Sequence, residues 1–255
     1  MQYNYHTHTP RCNHAFGEER EYIENAIKTG IKYLGFSDHA PMLFEGDYYS
    51  FFRMKPDQTE DYVKVIGDLK KEYENDIKIH MGFEMEYYPS CFERTLEFLS
   101  DYPYEYLILG QHALGDEERD TYSSHPTTDK RTLTRYTNQV IEGMRTKKFL
   151  YLAHPDLINY SGDNEFYREE MRRLCQCAKE LDVPLEINLL GIRKNRNYPN
   201  TEFWKIASEC GCAAIMGIDA HEPEDILLEH TREAGKRLAN EYSLNLLENL
   251  EDRFS

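Results

Sequence analysis

The chain has 255 residues and an acidic composition that excludes several classes of protein. Its 46 Asp and Glu residues outnumber its 30 Lys and Arg residues, and the formal net charge of −16 argues against binding to nucleic acid or to an anionic membrane. A hydrophobic content of 40% excludes a disordered chain. No apolar run approaches the roughly 18 residues of a membrane span. The six cysteines form no CxxC pair and no leader is recognisable, so we expect a reduced, cytoplasmic protein.

Short apolar runs alternate with longer amphipathic segments along the chain. The predicted strands are Gln2–Tyr5, Tyr33–Ser37, Ile77–Glu84, Tyr106–Gln111, Leu150–Ala153, Leu185–Asn188 and Ala213–Gly217. Between them apolar residues recur every three to four positions, as Leu133, Tyr136 and Val140 do, which is typical of amphipathic helices. A strand followed by a helix, seven times over, predicts a parallel α/β protein. No linker divides the chain, so we expect one domain over residues 1–255.

Histidines and acidic residues stand at or just after the carboxyl ends of these strands. They are His6, His8, His14, His39, Glu84, His112, His154, Asp219 and His221. A single histidine at such a position is more often a hydrogen-bonded structural residue, but nine residues in one register indicate a metal cluster. Residues two apart in a strand point the same way, so His6 and His8 can reach one ion. Imidazole and carboxylate ligands together suit Zn, Mn or Fe.

These motifs, in this order, resemble the PHP (polymerase and histidinol phosphatase) superfamily. The likeness runs from the H-x-H motif that begins at His6 to the G-x-D-x-H motif that ends at His221. It implies a distorted (β/α)7 barrel, TIM-like, with three divalent ions (Mn, Fe or Zn) at the carboxyl ends of the strands. The implied ligands are His6, His8, Glu84 and Asp219 for one ion, Glu84, His112 and His154 for a second, and His14, His39 and His221 for a third.

The implied ions indicate the reaction class. Three dications carry more charge than the carboxylates of Glu84 and Asp219 neutralise, so the mouth of the barrel should attract a phosphate dianion. A water that bridges two of the ions should titrate near neutrality and supply the attacking hydroxide. Phosphoryl transfer needs mainly positioning and charge stabilisation, so no Ser or Cys nucleophile is required. We therefore expect hydrolysis of a phosphomonoester, with Glu84 and Asp219 as the catalytic carboxylates.

The segment after the sixth predicted strand resembles the histidinol-phosphate phosphatase branch. It reads L-E-I-N from Leu185, followed by G-I-R-K from Gly191. This resemblance implies conversion of L-histidinol phosphate to L-histidinol and phosphate in histidine biosynthesis. Arg193 and Arg196 are predicted to bind the phosphate, with a solvated basic loop as the alternative, and Arg53 is a weaker candidate. The fourth strand ends in G-Q-H where many members of the branch have G-S-V-H, which puts substrate contacts from that strand in doubt.

Several assignments stay open at this point. The alternative substrates are a nucleotide, a sugar phosphate and a phosphotyrosine protein, and the alternative to an enzyme is a non-catalytic scaffold of the same fold. We expect a small-molecule phosphate ester as partner and neither nucleic acid nor membrane, and the oligomeric state is not indicated. The irregular segments Ala40–Asp57, Ala113–Lys130 and Leu189–Thr201 follow strands and should surround the site. We expect His80 to be a core or cross-strand histidine and the acidic segment Glu248–Asp252 to be a solvated helix end.

Overall fold

A computed structural model describes residues 1–254, whose eight strands form one parallel sheet in sequential order. The strands are β1 (Tyr3–Asn4), β2 (Tyr33–His39), β3 (Lys78–Met85), β4 (Tyr106–Leu109), β5 (Tyr151–Leu152), β6 (Leu185–Asn188), β7 (Ala213–Gly217) and β8 (Asn245–Leu246). The α-helices are α1 (Glu19–Lys28), α2 (Thr59–Glu72), α3 (Phe92–Leu99), α4 (Lys130–Arg145), α5 (Asn164–Glu180), α6 (Leu189–Arg193), α7 (Thr201–Glu209) and α8 (Glu229–Glu241). All seven predicted strands are present, and the predicted bounds of β6 and β7 are those observed.

The sheet curls so that its first strand meets its seventh, which makes a distorted barrel and confirms the predicted fold class. Thr7, just after β1, forms a parallel bridge with Ala220, just after β7. The His8 amide donates to the Ala220 carbonyl oxygen at 2.9 Å, and the Ala220 amide donates to the His6 carbonyl oxygen at 3.2 Å. Below this bridge the Ile218 amide donates instead to the side-chain oxygen of Asn4, at 2.8 Å. These contacts form a seam that joins the segment after β1 to the segment after β7 at the mouth of the barrel.

Local sequence signals account for the helices that surround the sheet. Helix α4 buries Leu133, Tyr136 and Val140, the residues that repeat at helical spacing. The Asp129 carboxylate caps its first turn by accepting from the Arg131 and Thr132 amides. Asp163 caps α5 in the same way through the Phe166 amide. None of the described helices has both the length and the apolar character that crossing a membrane requires.

The segment Leu189–Thr201 was expected to be irregular, but it begins as the short helix α6. The Asn188 side-chain oxygen accepts from the Gly191 amide at 3.1 Å and so starts a helix directly at the end of β6. Gly191 itself is required by close packing, because a Cβ there would overlap Tyr198. Helix α6 therefore places Arg193, Lys194 and Arg196 at the mouth of the barrel.

The expectation of a solvated helix end at Glu248–Asp252 is wrong. Strand β8 pairs with β7, and Leu250 is fully buried beneath the barrel. The Glu251 carboxylate accepts from Tyr5 Oη at 2.9 Å and lies 2.9 Å from His80 Nε2. His80, whose other ring nitrogen lies 2.7 Å from Glu105, is the buried cross-strand histidine that was predicted. The segment was misassigned because charged residues that pair with a buried histidine look like a solvated surface in sequence.

We expect Leu250→Ala to lower the free energy of unfolding by about 2–4 kcal/mol, because it leaves a cavity where a leucine side chain is fully buried. Urea denaturation followed by circular dichroism measures the change. Glu248→Ala, at an exposed position in the same segment, is the matched control and should change stability by less than about 0.5 kcal/mol. Equal losses in the two variants would contradict the packing described here.

Candidate metal centre

The structure brings all nine sequence-predicted ligands together at the carboxyl end of the barrel. They are His6, His8, His14, His39, Glu84, His112, His154, Asp219 and His221. Each lies on a strand end or on the loop that follows it, so the parallel sheet alone accounts for their convergence. His14 is exposed, His112 and His221 are half-buried, and the others are buried.

The Glu84 carboxylate stands between two groups of histidines. Its Oε2 atom lies 3.4 Å from His6 Nε2 and 3.5 Å from His8 Nε2. Its Oε1 atom lies 2.8 Å from His154 Nε2 and 3.5 Å from His112 Nε2. His39 Nδ1 also lies 3.2 Å from Oε2. The two carboxylate oxygens therefore face different imidazole nitrogens, as a carboxylate that bridges two cations requires.

Asp219 completes the first of these groups from the end of β7, which the seam places beside the end of β1. Its Oδ1 atom lies 3.2 Å from His8 Nε2 and 3.6 Å from His6 Nε2. The backbone of Asp219 has a φ of 53°, and that of His154 has a φ of 29°. A residue other than glycine pays about 1–3 kcal/mol for such a conformation, and such strain tends to occur at functional sites.

A third group lies at the outer edge of the mouth. Ligand atoms of His14, His39 and His221 all lie within 4.8 Å of one another. The Nδ1 atom of His14 donates to the Cys12 carbonyl oxygen at 2.8 Å, and that of His221 donates to the Asp219 carbonyl oxygen at 3.1 Å. The two Nε2 atoms are then left as lone-pair acceptors, yet they face each other at 3.0 Å. Two facing lone pairs at this distance fit a cation held between them.

Buried carboxylates outside the ligand set orient several of these rings. Glu186 lies 2.8 Å from His6 Nδ1 and accepts from the His154 amide at 3.0 Å. Glu86 lies 2.8 Å from His112 Nδ1, and Asp38 lies 3.4 Å from His8 Nδ1. Carboxylates in this position fix the ring tautomer and turn Nε2 toward a metal. Sequence reasoning missed them, although Glu86 stands two residues after Glu84 on the same strand side.

The ionisation of the site also fits bound cations. Burial alone would raise the pKa of Glu84, but the imidazoles of His112, His6 and His39 hold it well below its usual range. Burial lowers the pKa of His39 well below its usual range, and neighbouring imidazoles add to the effect. Within residues 1–254, His6 Nε2, His8 Nε2 and Asp219 Oδ1 are buried without a hydrogen-bond partner. Such orphaned atoms are costly unless something charged satisfies them.

The three arginines predicted to bind phosphate differ in burial and in their hydrogen-bond partners. Arg196 is exposed, lines the mouth and donates through Nη1 to Tyr198 Oη at 3.1 Å. Arg193 also lines the mouth, but its Nη2 atom donates to Asp225 at 2.8 Å and to the Asp219 carbonyl oxygen at 3.2 Å.

Arg53 is buried and does not line the mouth. Its guanidinium donates to Glu86 at 2.9 Å, to Glu117 and to the Ala40 carbonyl oxygen. It also lies 4.5 Å from the centre of the Phe52 ring. The structure thus places Arg53 behind the ligand shell, where it supports Glu86 instead of facing a ligand in the mouth. Sequence could not indicate this, because its partners come from distant segments.

The mouth encloses a cavity of about 300 Å³. Besides ligand residues and the two arginines, its walls contain Phe52, Tyr122, Ser124, Leu157, Leu190, Lys194, Tyr198, Glu222 and Asp225. The lining therefore combines cationic side chains with apolar surface and a few other polar groups. This size and lining suit a small anionic molecule with an organic part.

Known proteins resemble the chain over most of its length. A family model for the PHP domain matches residues 4–189. The probable histidinol-phosphatase of Deinococcus radiodurans is 27% identical over 227 residues, which cover 87% of this chain and 86% of that protein. A histidinol phosphatase candidate from Listeria monocytogenes has a crystal structure with a TM-score of 0.75 and 22% identity, covering 90% of this chain and 99% of that one. The histidinol phosphate phosphatase of Lactococcus lactis, solved with zinc, L-histidinol and phosphate, has a TM-score of 0.73 and 19% identity, covering 96% and 95%.

We expect Gly110→Ala to weaken binding of divalent metal by about 10- to 100-fold, the range seen when groups that hold a ligand are altered. A Cβ at Gly110 would overlap the Glu84 carboxylate, which must then turn away from its histidines. Metal content per chain after dialysis against dilute Mn²⁺ or Zn²⁺ measures the loss. Gly67→Ala, where a Cβ meets nothing within 4 Å, is the control. Full metal retention in a folded Gly110→Ala variant would contradict the role given to Glu84.

Proposed function

The chain belongs to the PHP domain family, and we propose that it is a metal-dependent phosphomonoesterase that hydrolyses L-histidinol phosphate to L-histidinol and phosphate. The observation that carries the proposal is the Glu84 carboxylate, whose two oxygens face separate histidine groups beside a small cavity lined by arginines. The Deinococcus relative and the Lactococcus complex support the choice of substrate. We place the reaction in histidine biosynthesis in the cytoplasm, with a small phosphate ester as partner.

The residues present fit three divalent ions, which we propose to be Mn, Fe or Zn. The proposed ligands are His6, His8, Glu84 and Asp219 for the first, Glu84, His112 and His154 for the second, and His14, His39 and His221 for the third. Bound dications would supply a nucleophilic hydroxide at neutral pH and neutralise charge on the phosphate. Glu84 and Asp219 are the catalytic carboxylates of this scheme because both would hold ions at the mouth, where the phosphate would bind.

The basic side of the mouth binds and orients the phosphate. Arg196 has most of its donors free and can make a bidentate contact with phosphate oxygens. Arg193 is held by Asp225 and by two carbonyl oxygens, so it contributes a fixed positive charge rather than a mobile clamp. Lys194, on the same turn, adds a further positive charge. Together these groups favour the binding of a phosphate dianion at the mouth, although the protein as a whole is acidic.

Other residues of the cavity lining suit the organic part of the substrate. Phe52 and Tyr122 offer ring faces or edges to an imidazole, and Glu222 offers a carboxylate to an ammonium group. The Asn188 side-chain amide, at the end of β6, donates to Glu186 and Asp219 at 2.9 and 3.0 Å and is therefore not free to bind the substrate.

Phosphate release from L-histidinol phosphate, compared with p-nitrophenyl phosphate, a nucleotide, a sugar phosphate and phosphotyrosine, tests the proposal. We expect a preference for L-histidinol phosphate of at least about 100-fold in kcat/KM, with close to three ions per chain counted on the same sample. Glu84→Gln is the control for contaminating phosphatase and should abolish turnover. Three ions with a preference for another ester would keep the metal centre and reject the substrate. Wild-type protein that retains no ions after incubation with Mn²⁺ and Zn²⁺ would reject both.

We expect Arg196→Ala to lower kcat/KM for L-histidinol phosphate by about 10- to 100-fold, because a charge-assisted hydrogen bond contributes about 1.5–3 kcal/mol. Steady-state kinetics on metal-loaded protein measures the change. Arg237→Ala removes an arginine that pairs only with Glu233 on the surface of α8 and should leave kcat/KM unchanged. If Arg196→Ala behaves like that control, phosphate binding belongs to other groups.

A further inference from the structure

The loop that follows β2 is held against the turn that carries His14. Asn13 stands in that turn, and its Nδ2 atom donates to Tyr49 Oη at 3.0 Å. The same atom donates to the Phe51 carbonyl oxygen at 3.1 Å and to the Arg53 carbonyl oxygen at 3.3 Å. One primary amide, with two N–H donors, therefore contacts three positions of the loop.

The backbone of Asn13 is suited to this role. It has a φ of 66°, a left-handed conformation that asparagine adopts more readily than most residues other than glycine. Its amide donates to the Pro10 carbonyl oxygen at 3.0 Å, and the Nδ1 atom of the next residue, His14, donates to the Cys12 carbonyl oxygen. One turn thus orients a proposed metal ligand and presents an amide group to the loop.

Phe52 is the residue whose position these bonds determine. Both residues that flank it supply carbonyl oxygens that accept from Asn13. Its half-buried side chain lines the cavity at the mouth. The ring centre lies 5.2 Å from that of His39 and 5.9 Å from that of His112, at interplanar angles of 85° and 68°. The Arg53 guanidinium lies 4.5 Å from the same ring centre. The ring is therefore fixed beside two of the proposed ligands.

We propose that Phe52 determines specificity for an aromatic group on the leaving alcohol, and that Asn13 is the residue that positions Phe52. This inference rests on the proposed function and assigns recognition of the imidazole of the substrate to one residue. Because Phe52 adjoins ligand imidazoles, an ester whose phosphate is held by the ions has its leaving group beside this ring. An aromatic leaving group gains a ring–ring contact there that an aliphatic one lacks.

Two matched esters test the role of Phe52. O-Phosphoethanolamine shares the phosphate and the ammonium group of L-histidinol phosphate but lacks its imidazole. In metal-loaded protein, Phe52→Leu should lower the ratio of kcat/KM for L-histidinol phosphate to that for O-phosphoethanolamine by about 2- to 10-fold. Phe52→Tyr, which keeps the aromatic ring, should retain the ratio. An unchanged ratio in Phe52→Leu, or an equal fall in Phe52→Tyr, would overturn the proposal.

A second aromatic ester separates this inference from the proposed function. If the wild-type protein does not hydrolyse L-histidinol phosphate, the choice of substrate is rejected. The ratio is then measured with p-nitrophenyl phosphate as the aromatic ester, and Phe52→Leu should lower it in the same way. A ratio that does not change with this ester either would reject the role of Phe52 as well.

The role of Asn13 is tested with Asn13→Gly, because glycine keeps the left-handed backbone and removes only the side-chain amide. This variant should lower the same ratio in wild-type protein and have no further effect in the Phe52→Leu background, since a positioning residue acts through the residue that it positions. Additive effects in the double variant would overturn the coupling. Loss of a metal ion in Asn13→Gly would show instead that Asn13 supports His14.

Limited proteolysis with chymotrypsin gives a readout that needs no substrate. Chymotrypsin cleaves after aromatic residues, and the loop carries four of them between positions 48 and 52. Asn13→Gly should raise the rate of cleavage in this segment by about 2- to 10-fold, because cleavage follows the population of released loop. Asn240→Ala, at an exposed position on α8, is the control and should cleave like the wild-type protein. An equal rate in Asn13→Gly would contradict the positioning role.

Discussion

The structure depends on one electrostatic constraint, the burial of the Glu84 carboxylate among the imidazole nitrogens at the mouth of the barrel. A buried carboxylate costs several kcal/mol unless positive charge surrounds it. The strand ends relieve this cost by bringing His6, His8, His39, His112 and His154 around both of its oxygens. Gly110 leaves the space in which the carboxylate sits. Cations at this position would satisfy the carboxylate and the lone pairs of the rings at once.

The ring of outer carboxylates follows from the same constraint. Glu186 and Glu86 each hold the far nitrogen of a histidine and so direct the near nitrogen toward Glu84. The pairing of Arg53 with Glu86 and Glu117 then ties the loop after β2 to the loop after β4. An arginine that could have faced substrate is used to keep a buried carboxylate charged and in place. The long loops are therefore part of the support of the site and not only its rim.

Sequence reasoning reached the fold and the candidate ligands because both follow from short-range periodicity. Parallel strands end on one edge, so His39, Glu84 and His154 could be placed together without knowing any contact. The predictions failed where the outcome depends on pairing between distant segments. The pairing of Arg53 with Glu86 and that of His80 with Glu251 each join residues more than 30 positions apart. No local pattern contains such information.

The bridge between Thr7 and Ala220 has a consequence for how the protein opens. It brings His8 at one end of the chain to Asp219 near the other, so this ligand group exists only while the seam is closed. A cation held there binds the closed barrel and not the open chain, and it stabilises the whole barrel by mass action. Spontaneous parting of this one seam, well short of global unfolding, would be enough to release the cation. The rate of metal exchange would then measure how often the seam between β1 and β7 opens.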